Sequence, residues 1–291
     1  MKSISYSQFS KWDRCPHAWK LSYVDKKSVF EGNIYTIFGT SIHEVLQKYI
    51  KVMYTDSVKK ADELYLDELL EDRLRINFLD TMKTNGGVEI CTKNEMNEFY
   101  QDGIKIIDFF KKKRNQYFSK KGYELLGIES ALDYNMKKVK FKGFIDLIIR
   151  DVKRERIKII DIKTATYGWN KYQKADTNKT AQLLLYKQFF SKQFDVPLDR
   201  IDVEYFIVKR KLYEGTDYPQ KRIQTFIPAN GTPSINKVNR RLESFIDNCF
   251  TVDGEYRTDH IYSKLPSVKN CKWCEYRSEE RRVGKECRSR W

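Results

Sequence analysis

Between residues 123 and 164 the apolar positions fall into three short runs, YELLGIESALDYN, KVKFKGFIDLIIR and RIKIIDIKT. Runs of that length, rich in Ile, Val, Phe and Tyr, predict three consecutive strands joined by short turns, most naturally as an antiparallel meander. Upstream the rhythm is helical. Phe9, Trp12, Ala18, Trp19 and Tyr23 mark an aromatic opening helix, capped by Ser5 or Ser7 and interrupted or restarted at Pro16. Ile42, Val45, Leu46, Tyr49 and Ile50 are spaced for a second helix over 39–51 behind a Thr40 or Ser41 cap, with His43 at the edge of its stripe. Two charge-rich helical stretches follow over 57–83 and 93–119, parted by the turn signal Asn85-Gly86-Gly87.

Downstream of the meander, a loop rich in Tyr, Lys and Trp leads to a helix over 179–194 with Leu183, Tyr186 and Phe190 on one face. The strand DVEYFIVKR, a helix over 234–250 and a cysteine-bearing tail over 265–276 complete the pattern. No internal repeat or low-complexity run is present. Alternating sheet and helix predict an α/β (α+β) fold with a central mixed sheet flanked by helices. The expected organisation is an N-terminal helical region over 1–120, which holds the His43 helix and a helical insertion, and a core over 121–276. Residues 277–291, RSEERRVGKECRSRW, read like a translated sequencing adapter and are expected to be disordered, with Val283 and Trp291 as their only large apolar groups.

Composition narrows the partner. The 291 residues are 41% hydrophobic, enough for a sizeable core, and 55 Lys and Arg against 40 Asp and Glu give a net charge of +15. An excess of that size points to an acidic polymer, most often nucleic acid. It survives removal of the adapter-like tail, whose six basic and three acidic residues leave 49 against 37. No apolar run approaches the roughly 18 residues of a membrane span, and MKSISYSQFSKW lacks the apolar region of a signal peptide, so a cytoplasmic location is expected. Six unevenly spaced cysteines do not form a secreted disulfide framework; metal ligation or buried thiols are preferred, Cys91 and Cys249 being of the latter kind.

Candidate chemistry lies in the meander. Asp161 and Lys163 are two apart on a strand, so their side chains share a face. Taken alone, Asp-x-Lys on a strand is commonly a surface ion pair. Asp146, which ends GFID on the neighbouring strand, changes that reading, because two carboxylates can hold Mg²⁺ or Mn²⁺ and leave positions for water and a phosphate. The Ile162 carbonyl is a further oxygen donor. Lys163 would orient the attacking water or neutralise charge gathering on the phosphate oxygens.

Four motifs occur in a telling order: FGTSIHEVL around His43, GFID, DIK at 161–163, and QLLLY from Gln182 to Tyr186. In these the chain resembles the PD-(D/E)XK nuclease superfamily, and within it the RecB-like branch of AddB-type and CRISPR-associated iron-sulphur exonucleases. The resemblance implies a restriction-endonuclease-like core and a nitrogen ligand from His43, where a lone His is otherwise more often a core residue. Imidazole would tilt the site toward Mn²⁺. It implies an additional acidic position at Glu129, for a second metal or to tune the first. Gln182 and Tyr186, one turn apart, would contact the substrate backbone, helix-to-sheet packing being the alternative for Tyr186.

In the loop over 164–174, Tyr167, Trp169 and Tyr172 alternate with Lys171 and Lys174, which suits a single strand whose bases stack on rings, or else simple packing on the sheet. Cys15, Cys271 and Cys274 match the family's [4Fe-4S] arrangement. The fourth ligand of the pattern would fall at Glu280 in the adapter-like segment, and Cys287 comes too late. A zinc site borrowing His17 and plain reduced thiols are the alternatives. The expected activity is metal-dependent DNA exonuclease action on ends or single strands in replication, recombination or repair, of phage or microbial origin. A nucleic-acid-binding module without catalysis and a structure-specific endonuclease such as a junction resolvase are the competing readings. No Walker-type phosphate loop is present, so any ATP-driven unwinding falls to a separate helicase or recombination partner.

Overall fold

The computed structural model describes residues 2–27, 32–272 and 274–276. The chain opens with a two-residue strand β1 (Ser3–Ile4), then α1 (Tyr6–Arg14) and α2 (Pro16–Trp19). A helical region follows: α3 (Ile34–Thr55), α4 (Val58–Asp62), α5 (Leu66–Thr84) and α6 (Lys93–Lys113). The meander is β2 (Tyr123–Asn135), β3 (Lys140–Asp151) and β4 (Arg156–Ala165). After it come α7 (Lys171–Ala175), α8 (Thr177–Phe194), β5 (Ile201–Lys209), β6 (Ile223–Phe226), α9 (Thr232–Cys249) and α10 (Val268–Cys271).

One mixed sheet runs in the order β1-β3-β4-β5-β6, with β2 also on β3. The meander is antiparallel as expected, while β4 and β5 are parallel and need the crossover that α7 and α8 provide. The pairing of β3 sets up everything that follows. One edge of β3 carries β2 along its whole length. A strand has two edges, so β1 and β4 share the other: β1 pairs at Lys140 and Phe141, and β4 only from Leu147 to Asp151. Residues 142–146 therefore face a fork from which β4 has departed.

The sheet separates two cores. Phe9, Trp19, Phe141, Ile159, Leu185, Phe189 and Phe245 pack beneath α1, α8 and α9. Ile42, Tyr49, Leu70, Phe110, Ile162 and Phe206 pack beneath α3, α5 and α6. At the fork this division crosses over. Ile145 belongs to the first core and Leu147 to the second, although side chains two apart on a regular strand share a face. The opposite position on β2, Glu129, has φ +48°, so both strands break step at Asp146 and Glu129. Among the described residues, no helix is long and apolar enough to cross a membrane.

Several elements differ from their sequence pattern for identifiable reasons. Helix α3 begins two turns before Thr40, because the Asn33 side chain accepts from the Tyr35 and Thr36 amides and Thr36 closes the capping box. Gly39 then lies inside the helix, where a Cβ would come within 3.1 Å of Thr164 Oγ1. Helix α8 is buried almost all round, so its expected single stripe is only part of its packing surface. The short β1 and β6 hold too few residues to leave an alternating signal. The adapter-like tail and Cys287 lie outside the described residues.

Candidate active site

Strand divergence places the meander's two acids together. Asp146 Oδ2 accepts the Ile162 amide at 2.6 Å, supplying the partner that β3 backbone no longer offers once β4 has splayed away. His43, from the middle of α3, stands with Nδ1 3.7 Å from the same Asp146 oxygen and hydrogen-bonds the Ile162 backbone. On β4, Lys163 Nζ lies 2.7 Å from Asp161 Oδ2. The pair is not the common surface kind: the Asp161 side chain is 2% exposed and that of Lys163 33%. This ion pair lacks the alignment of a hydrogen bond, so both Asp161 oxygens are buried without a hydrogen-bond partner.

Burial displaces every group here. It pushes the Asp161 and Asp146 carboxyls up to about 6, against the pull of the Lys163 ammonium. It also pushes His43 down to about 4, with Lys163 acting in the same direction, so the imidazole is neutral at pH 7. Burial alone would lower Lys163 as well, but Asp161 and Asp146 outweigh it and hold the ammonium above its ordinary value. The site thus holds two carboxylates that burial disfavours as anions, one cation and a neutral nitrogen donor.

The surrounding shell contains one residue that sequence reasoning missed. Gln47 is one helical turn beyond His43 and 6% exposed; its amide donates to Glu129 Oε1 at 2.6 Å and approaches the Asp146 carbonyl at 3.5 Å. Its spacing of four from His43 on an otherwise apolar stripe was the available signal. Glu129 is held with its backbone in the left-handed region, an unfavourable state for a side chain with a Cβ that tends to persist at functional sites. Gln182 donates to the Tyr186 hydroxyl at 3.1 Å, and burial raises that phenol to about 12. Tyr186 is also a packing residue. Its ring lies against Gly143 of GFID, where a Cβ would meet Tyr186 Cε1 at 2.9 Å, and edge-on to Phe141.

Beyond β4 the loop residues part company. Tyr167 is 45% exposed and Tyr172 74%, with Lys171 Nζ 5.1 Å from the Tyr172 ring. Of the two alternatives for this loop, Trp169 takes the packing one: it is 8% exposed and lies on Tyr205 and Phe226. At the other end of the chain, Cys15, Cys271 and Cys274 line one cavity with Lys11, Arg14, Lys264 and Tyr276. Cys249, by contrast, is fully buried, and burial pushes its thiol far up.

Among the described residues, no three His, Cys, Asp or Glu side chains stand as a ready-made metal-binding group. The donor set at the fork nevertheless fits a hard divalent cation: two buried carboxylates, one with both oxygens lacking a hydrogen bond, and a neutral imidazole. A bound cation would relieve the burial that holds both acids near 6. The cysteine cavity brings together the three expected thiols, and no fourth cysteine lines it among the described residues.

No curated protein sequence matches the chain. A solved structure of a candidate exonuclease from Eubacterium rectale is similar in fold, with a TM-score of 0.53 at 12% identity over 96% of this chain and 88% of that one. The solved structure of SSO0001 is more distant, with a TM-score of 0.33 at 11% identity over 95% of this chain and 84% of that one. The family model of the PD-(D/E)XK nuclease superfamily matches residues 3–278. With a mixed sheet flanked by helices and GFID and DIK meeting at a strand fork, the chain belongs to the PD-(D/E)XK nuclease superfamily and has its restriction-endonuclease-like fold.

Proposed function

We propose that this chain is a metal-dependent deoxyribonuclease that degrades DNA from ends or along single strands. The observation that carries the reading is the fork itself, where Asp146 and Asp161 are both held near 6 beside the Lys163 ammonium. Asp146, Asp161 and His43 would hold Mg²⁺ or Mn²⁺, with the Ile162 carbonyl as a further donor if His43 releases it; Glu129 would tune the site or serve a second ion. A divalent cation there would supply a neutral-pH hydroxide and polarise the phosphate. Lys163 would place its ammonium against the phosphate oxygens as charge gathers on them, which accounts for its retention beside a buried acid. Gln182 would steady the backbone of the strand, with Tyr186 fixing its position. Tyr167 and Lys171 lie along the path of the strand beyond β4, while Trp169 anchors that loop.

The net charge of +15 supports a nucleic-acid substrate. A separate helicase or recombination partner would provide unwinding where a duplex must be opened. Cys15, Cys271 and Cys274 line one cavity, where a [4Fe-4S] cluster would staple the chain ends; its fourth thiolate is missing from this chain, which has Glu280 at that position. Anaerobic purification with a fourth cysteine restored at that position should give a brown, iron-containing protein, and a colourless, iron-free product rejects the cluster.

The decisive experiment incubates end-labelled linear and circular single-stranded DNA with Mg²⁺ or Mn²⁺ and compares the wild type with Asp161→Ala and Lys163→Ala. The expected result is progressive loss of linear DNA, intact circles and no cleavage by either variant. Cutting of circles would make the chain an endonuclease. Cleavage unaffected by both substitutions would sink the assignment, and binding without cleavage by any form would make it an inactive module.

A further inference from the structure

The loops that leave β4 and β5 run side by side beyond the sheet: the Arg210 amide donates to the Ala165 carbonyl at 2.9 Å and the Lys211 amide to the Thr166 carbonyl at 2.8 Å. One tyrosine from each loop meets there. Tyr167 and Tyr213 stack with ring centroids 4.7 Å apart and planes 12° from parallel, yet they remain 45% and 56% exposed. Two glutamines fix the loops that carry them. Gln224 accepts from the Trp169 amide at 2.8 Å and donates to its carbonyl at 3.1 Å. Gln220 does the same for Tyr213, at 2.9 and 2.6 Å. Between Tyr167 and the buried Trp169, Gly168 turns at φ +91°, where a Cβ would meet Lys209 Cε at 3.0 Å.

These contacts leave a flat aromatic surface that is rigid before anything binds. Tyrosine rings present a π-face at low ordering cost, and such surfaces take nucleobases without regard to sequence. The surroundings suit a polyanion. Burial and the nearby Lys174 ammonium together hold Lys209 below its ordinary value. Burial likewise lowers Lys179, opposed by Asp176 and reinforced by Arg14, Lys269 and Lys163, and its Nζ lies 5.3 Å from the Trp169 ring. Cations thus connect Lys163 to the loop. Lys163 precedes Tyr167 by four residues, roughly 13 Å of extended chain.

We infer that the stacked Tyr167–Tyr213 pair is a platform for unpaired nucleobases, so that the strand delivered to Lys163 is single-stranded at that point. Within a duplex the bases stay stacked on one another and offer the pair no face, so apart from a terminal base pair the platform needs unpaired bases. The placement relative to Lys163 rests on the nuclease reading, whereas base binding by the pair does not require cleavage.

The test is fluorescence anisotropy on the full chain in a chelator, so that no cutting occurs. The probes are a labelled oligothymidylate of about 12 nucleotides, within the range of single-strand site sizes, and an abasic phosphodiester of equal length and charge. The wild type binds the oligothymidylate more tightly than the abasic strand. Tyr213→Ala weakens oligothymidylate binding roughly 5- to 100-fold, the range expected for one lost stacking contact, and leaves abasic binding unchanged. Tyr213→Phe and Asp161→Ala retain the preference for bases. Equal affinity of the wild type for both probes, equal loss on both in Tyr213→Ala, or binding of neither probe overturns the platform. A base preference without cleavage activity would sink the nuclease reading and leave the platform standing.

Discussion

The fork and the cysteine cavity are the two places for which metal binding is proposed, and they are built by opposite means. At the fork, strand register and the break at Asp146 and Glu129 set the positions, and the second core, with Ile42 and Ile162, packs directly behind. At the cavity, the four-residue α10 and the segment after it are joined by side chains to α1 and to the start of α8. Asn270 donates to the Arg14 carbonyl at 2.9 Å, Lys11 pairs with Glu275, and Lys269 reaches Asp176 at 2.9 Å. A site made by the sheet cannot relax without breaking the fold, so it can keep buried acids that water would otherwise claim. A site made by clips can open locally.

The sharpest break in the comparison is catalytic. Asp161→Ala and Lys163→Ala should each lower cleavage by about 10³-fold or more, as expected when a metal ligand or a preorganised charge at the phosphate is removed. Cys271→Ala should leave cleavage within about threefold of wild type if the cavity, as proposed, serves stability and no chemistry. Gel assays with circular dichroism as a folding control decide this, and comparable losses in all three variants would erase the distinction.

Next in size is a stability effect with a defined pH window. Asp161 is held at about 6 in the folded chain, above the ordinary carboxyl, so carrying its anion at neutral pH costs the fold. Asp161→Asn removes that cost and should stabilise the metal-free protein at pH 7.5 by up to about 3 kcal/mol. The advantage is present above about pH 6 and disappears as the pH falls toward 4 and the wild-type carboxyl protonates. Mn²⁺ should raise the wild-type melting temperature and have little effect on the variant. Thermal melts across that pH range check both statements; an Asp161→Asn protein less stable than wild type at pH 7.5 would refute them.

A smaller effect tests the shell. Gln47→Leu keeps the volume and removes the amide that joins Glu129 to the Asp146 backbone, leaving the exposed Glu129 carboxylate without its protein donor. A loss of about tenfold in cleavage with unchanged DNA binding is expected from one hydrogen bond to a charged group. Steady-state kinetics separate the two, and a pure loss of binding would assign Gln47 to the substrate instead.

Legibility in the sequence followed the same division. Strand periodicity led directly to β2, β3 and β4, and the placement of Asp146 and Asp161 on adjoining strands followed from them. The crossing of the faces at Asp146 did not, because a break in alternation looks like noise until the partner strand shows the same break at Glu129. Trp169 could not be assigned between stacking and packing, because a tryptophan among lysines has the composition of a nucleic-acid loop, whereas its burial depends on Tyr205 and Phe226 from elements far along the chain. Tyr213 left no local signal at all. Its meaning comes from parallel pairing, which brings the end of β5 beside the end of β4.

The smallest effect bears on whether the two regions communicate. Lys269 beside the cysteine cavity pairs with Asp176, the N-cap of the helix that carries Gln182 and Tyr186. Burial would raise the Asp176 carboxyl, but Lys269 and the Asn178 amide outweigh it and hold it below the ordinary value. Lys269 itself is 69% exposed, so its removal forfeits only a solvent-screened attraction. Lys269→Ala should therefore cost no more than about 1 kcal/mol, read from denaturant midpoints. Asp176 keeps its bond from the Asn178 amide at 3.0 Å, so α8 stays capped and cleavage should be unchanged. A tenfold fall in cleavage at unchanged stability would mean instead that the cavity positions α8 through this one ion pair, making the fork depend on the more weakly built region.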